Sequence, residues 1–96
     1  GVTSLYKGGD VASGGAIAPT GNVFHVTGTT TIATITGCTA GTTLTLIFDD
    51  AVIVTDNNSA GADSLNIGAA FTSSQYDTLT VVYDGTSWYE IARSVN

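Results

Sequence analysis

The sequence predicts an all-β domain. Apolar residues recur at every second position over short runs rich in Thr, Val and Ile, and Gly, Asp and Asn interrupt those runs at close intervals. No segment holds a 3.6-residue apolar period for three turns, so helix is expected to be nearly absent. Roughly seven or eight short strands in about 75 residues fit a small antiparallel β-sandwich or a jelly-roll-like module. A triangular β-prism of three interleaved chains would give the same one-dimensional pattern and stays open as the alternative.

Residues 1–21 contain Gly8-Gly9, Gly14-Gly15 and the only proline, Pro19, with little periodicity, and read as a connector to an upstream segment. The β module is expected over 22–96. Val23 to Thr27 ends at Gly28, and Thr31 to Thr36 ends at Gly37. In Thr43 to Phe48, side-chain alternation puts Leu44, Leu46 and Phe48 on one buried face. Asp49-Asp50 connects to Ala51 to Thr55, which is apolar on both faces and reads as an interior or interface strand. Asp56 to Asp63 is the longest polar interruption and reads as a surface loop. Short strands follow at Leu65 to Ile67 and Ala70 to Thr72. The strongest hairpin signal is last, in the run Asp77 to Arg93: Asp84-Gly85 suits a two-residue type I′ turn that pairs Leu79, Val81 and Tyr83 with the strand carrying Trp88 to Arg93.

Composition limits the partners. The chain has 96 residues, enough for one compact domain, and only 10% of them are charged, against roughly 25% in an average soluble domain. A surface so poor in charge suggests that part of it is covered by identical subunits or a neighbouring domain. Lys7 and Arg93 are the only basic residues and the net charge is -6, so neither nucleic acid nor an anionic membrane is an expected partner. No stretch approaches the ~20 apolar residues of a membrane span, and the start does not have the pattern of a signal peptide. Cys38, the only cysteine, lies in a turn and forms no intrachain disulfide.

A search for chemistry finds little. The one histidine, His25, falls in mid-strand with Val23 and Thr27, opposite Phe24 and Val26, and no Gly-x-Ser-x-Gly elbow is present. Asp56-x-Asn58 with Gly61 resembles the start of a calcium loop, but the fifth position is Ala60 and the twelfth is Ile67 where a bidentate Glu is required. No catalytic set, metal site or cofactor is expected. Tyr83, Trp88 and Tyr89 are aromatics that a sugar-binding surface would use; a packing anchor in the core or at a subunit interface is the preferred reading. Leu79, Val81 and Tyr83 share one face of their strand and Val82 lies on the other. With little polar surface on either side, the hairpin is expected to meet its own sheet with one face and a neighbouring subunit with the other.

The run from Asp77 to Ser94 with its Asp-Gly-Thr-Ser-Trp-Tyr-Glu segment, preceded by Thr43 to Phe48 and Gly21 to Gly28, resembles the C-terminal module of bacteriophage tail spikes, appendages and tail fibres. The resemblance spans Gly21 to Ser94. It implies a homotrimer at the distal tip of a virion spike, extracellular when free, that follows a parallel β-helix shaft of the same polypeptide, stabilises the trimer and contacts host surface glycan. Glycan cleavage in such proteins belongs to the shaft, so no enzymatic activity is implied. Some spikes carry a self-cleaving chaperone beyond this module, and Asn96 would fit such a scar as well as a native end. A carbohydrate-binding module for cell-wall glycan is the alternative function, and an adhesin or surface-layer fragment shares the same fold physics.

Overall fold

The computed structural model describes residues 6–96; the first five residues of the expected connector lie outside that range. Among the described residues ten strands form, in chain order: β1 Val11–Ala12, β2 Ala16–Ile17, β3 Val23–Thr27, β4 Thr34–Ile35, β5 Thr43–Phe48, β6 Ile53–Val54, β7 Leu65–Asn66, β8 Phe71–Thr72, β9 Thr78–Tyr83 and β10 Trp88–Ser94. There is no helix among the described residues, as the missing 3.6-residue period requires.

A six-stranded sheet in the order β1-β3-β5-β9-β10-β7 forms one layer. Strands β3, β5 and β9 alternate strictly between half-buried and buried residues, so Phe24, Val26, Leu44, Leu46, Phe48, Leu79 and Val81 line one face. The pairs β2-β4 and β6-β8 contribute to a second layer that covers this face. Two contacts tie the layers together. The Trp88 indole N–H donates to the Ile35 carbonyl at 3.1 Å, and the Phe48 and Phe71 rings meet edge to face with centroids 5.6 Å apart.

The first half of the chain winds as stacked coils. Val11 faces Val26, Ala16 faces Thr34 and Val23 faces Thr45, all in parallel register, at offsets of 15, 18 and 22 residues. Lys7 with Val23 and Ile32 with Val54 add parallel bridges on the same stack. Each circuit of chain therefore lies on the one before it, strand on strand. The stack ends at β5, whose other edge pairs antiparallel with β9, while β6 pairs antiparallel with β8. The all-β class is as expected, but the sheet is mixed: antiparallel pairing holds only for β5-β9, β9-β10 and β6-β8, and β7 again pairs parallel, with β10. The core closes within a single chain, so interleaving with neighbours is not needed to bury it.

The segment read as a connector contains β1 and β2, and its Ile17 is buried in the core. Gly8 and Gly21 make this possible. Their backbones touch: a Cβ on Gly8 would lie 2.6 Å from the Gly21 nitrogen, and one on Gly21 would lie 2.6 Å from the Gly8 Cα. Only two glycines allow that approach, which brings the Gly8 N–H to the Val23 carbonyl at 2.9 Å and the Asn22 N–H to the Tyr6 carbonyl at 2.6 Å.

Two local expectations change. In Ala51–Thr55, Val52 and Val54 are buried but Ala51 is exposed and Ile53 is 45% exposed, so the strand has one interior face and one open face. The last hairpin forms, but Tyr83 pairs with Trp88 across a four-residue loop rather than a two-residue turn. Gly85 alone takes positive φ there, at 100°. Asp84 shapes the loop with its carboxylate, which accepts the Thr86 and Ser87 N–H groups at 2.8 and 2.7 Å. Those bonds, Ser87 first and then Thr86, hold the Asp84 carboxyl below the ordinary aspartate range. Its contribution to stability is therefore present above that range and is lost as pH falls through the lowered value.

Candidate functional site

The sequence put forward five residues as interface or glycan contacts: Leu79, Val81, Tyr83, Trp88 and Tyr89. Leu79, Val81 and Trp88 are 1%, 0% and 0% exposed and pack inside their own chain. The reason is the second layer, which covers the face that they share. These three are packing anchors of their own core, on the hairpin face that meets its own sheet. Tyr83 is 9% exposed, its ring centroid is 4.7 Å from that of Trp88, and its hydroxyl donates to Asp63 Oδ1 at 2.7 Å. That bond, then burial, raises the Tyr83 phenol above its ordinary range. A raised value favours folding at pH below the ordinary tyrosine range, and the contribution fades as pH rises through the folded value. An alkaline titration followed at 295 nm should show a late-ionising tyrosine that Tyr83→Phe removes; a variant curve lacking no component relative to the parent would refute this.

Tyr89 is 40% exposed and lies on the other face of the hairpin. That outer face spreads over β3, β5, β9 and β10, half-buried on the first three strands and exposed at Tyr89, Ala92 and Ser94. Register sets its rows: Thr43, Val82 and Tyr89 form one; Val23, Thr45, Thr80 and Ala92 the next; His25, Ile47, Thr78 and Ser94 the third. Small and β-branched side chains fill the two central strands, and the Thr45 and Thr80 hydroxyls lie 3.2 Å apart across them. Within these four strands the rows contain no Asp, Glu, Lys or Arg, and Lys7 bridges to Val23 beyond the end of the second row. His25 is their only imidazole, and its Nδ1 lies 2.5 Å from Asp49 Oδ1 at the margin, with both side chains partly exposed.

A bulge keeps charge off this face at β10. Glu90 pairs with Val81 and Ala92 with Thr80, leaving Ile91 as the extra residue. The insertion inverts the alternation, so Arg93 returns to the same side as Glu90. There the guanidinium donates to Glu90 at 2.6 Å and to the Ile67 carbonyl at 2.8 Å, and lies 4.9 Å from the Phe71 ring centroid. One of the chain's two basic side chains is thus spent closing the core's rim. The hydrogen bonds to Glu90 raise the Arg93 value, burial opposes them, and the Coulomb attraction of Glu90 adds a smaller rise.

The polar loop supports itself. Asp56 Oδ1 accepts the Asn58 and Ile67 N–H groups, Asn57 Oδ1 accepts the Leu65 N–H, and Asn66 exchanges bonds with Ser59. Its side-chain acceptors thus bond to backbone, and no cluster of three metal-binding side chains occurs among the described residues. A shallow hollow of about 240 Å³ lies beside Tyr6, Pro19, Asn22 and Cys38. Burial, and then Asp63, raise the Cys38 thiol, which makes it less nucleophilic.

Comparisons with protein-family models, with curated proteins and with solved structures return no match for this chain.

Proposed function

We propose that the chain is the end module of a homotrimeric bacteriophage tail spike or appendage: it closes a shaft of parallel β coils, holds three copies in register, and stands in the virion where it can meet host surface glycan. The observation that carries this reading is the change of pairing along the chain. Parallel coils stack from β1 through β3 to β5, and β9 and β8 then close the stack with antiparallel pairs. A parallel stack can be lengthened indefinitely at a rung of matching register, while an antiparallel hairpin laid across its end stops it. The stack's open side is formed by β1 and β2, and the sheet's other margin is β7, laid parallel on β10.

The low charge supports assembly, because little on the surface keeps copies apart. The carbohydrate-binding alternative loses its main platform with the burial of Trp88, and the exposed rings of Tyr6, Tyr76 and Tyr89 lie on three separate elements. No catalysis is proposed for this chain. Sedimentation equilibrium at micromolar protein should give three times the 9.7 kDa chain mass. The monomer mass under those conditions would remove the assembly reading.

A further inference from the structure

We infer that the residues after β10 act as a latch: Asn96 clamps the turn Ser74–Asp77, and that turn keeps its strained left-handed conformation at Tyr76 only while the latch is closed. The inference concerns a single chain and holds whether or not copies assemble.

The turn carries the wrong residue for its type. The Asp77 N–H donates to the Ser74 carbonyl at 3.1 Å, which closes a four-residue turn with Gln75 and Tyr76 at its centre. Tyr76 takes a φ of 74°, while Gln75 stays at negative φ. That combination is the pattern of a type II turn, whose third position ordinarily holds Gly or Asn. A larger side chain there crowds its own backbone, so a tyrosine in this place is strained. Burial of the ring does not offset the strain, because Tyr76 is 65% exposed.

Hydrogen bonds hold the strained turn from two sides. Toward the core, the Tyr76 N–H donates to the Phe48 carbonyl at 2.8 Å, and the Phe48 N–H donates to the Asp77 carbonyl at 2.9 Å. Asp77 is 1% exposed, and its Oδ2 accepts the Ser74 N–H at 2.8 Å. From the outside, the Asn96 N–H donates to Asp77 Oδ1 at 2.8 Å and the Asn96 Nδ2 donates to the Tyr76 carbonyl at 2.8 Å. The Ser94 hydroxyl donates to Asn96 Oδ1 at 2.9 Å and so aims the amide.

Pairing delivers the latch to its seat. Strand β10 runs antiparallel to β9 as far as Ser94 opposite Thr78, so the chain leaving β10 passes the residues that enter β9. The latch and the strain depend on each other. Relaxing Tyr76 to negative φ would rotate the peptide that joins it to Asp77 and withdraw its carbonyl from the Asn96 amide. Opening the latch would leave a buried carboxylate oxygen without that donor. With the latch closed, the exposed Tyr76 ring is held in one direction.

Amide hydrogen exchange at residues 76 and 77 reads the state of the turn. Asn96→Ala, at an exposed position, should speed exchange at both by about two- to tenfold, the loss of one hydrogen bond, with the Val81 amide unchanged. Tyr76→Gly suits the observed φ and should raise the melting temperature by a few degrees. In that background Asn96→Ala should no longer speed exchange at residues 76 and 77, because the turn then holds its shape unaided. Unchanged exchange in the Asn96→Ala protein would overturn the latch. Equal acceleration in both backgrounds, or a lower melting temperature for Tyr76→Gly, would show that no strain is being held and would overturn it as well.

Discussion

Trp88→Ala is expected to cost about 3–5 kcal/mol, the usual range for emptying a fully buried tryptophan site. Trp88 is 0% exposed, packs on Tyr83, and satisfies the Ile35 carbonyl in the opposite layer. Removing it opens a cavity between the layers and leaves that carbonyl without its partner, which places the loss in the upper part of the range. A domain of this size is stable by about 5–15 kcal/mol in total. The melting temperature should fall by on the order of 20 °C, since 1 kcal/mol moves a domain of 60–100 residues by about 4–8 °C. Thermal melts followed by far-ultraviolet dichroism measure this directly. Trp88→Phe keeps most of the ring volume and should recover more than half the loss. A Trp88→Ala protein that melts within a few degrees of the parent would mean that the two layers are not held together at this point.

Gly21→Ala is expected to release the first coil while the rest of the core stays folded. The added methyl group would collide with the Gly8 backbone, and no side-chain movement can relieve a clash between two main chains. The segments must separate, which breaks the Gly8-to-Val23 and Asn22-to-Tyr6 bonds. Two backbone hydrogen bonds correspond to about 1–3 kcal/mol of local stability. Amide exchange at Gly8 and Asn22 should therefore speed up by about five- to hundred-fold, with the amides of β5 and β9 little affected. Exchange unchanged at Gly8 would show that the coils are not seated on each other there. In the proposed role this contact matters beyond stability, because the first coil is the rung on which a shaft would continue.

The alternation in Val23–Thr27, Thr43–Phe48 and Thr78–Tyr83 was legible because a strand with one buried face must repeat every two residues, and each of those faces is buried as read. The outer face is equally present in the sequence, as the intervening Thr, Val and Ile positions, but the aromatics carry the stronger local signal. Size alone does not say which side of a strand is covered: Trp88 points into its own core and Tyr89 out of it. The unseen feature at β10 was the bulge at Ile91, which simple alternation cannot anticipate.

What the sequence determined by itself was therefore local: the all-β class, the strands with a clean period of two, the final hairpin and the shortage of charge. The tertiary structure decided the partners. Parallel pairing at offsets of 15 to 22 residues leaves no local mark, because each two-residue strand such as β1 or β2 is held by a segment a full circuit away. Gly8 and Gly21 show the same limit. Along the chain they read as connector glycines, and only their meeting in space reveals that the missing side chains are what lets one coil lie on the next.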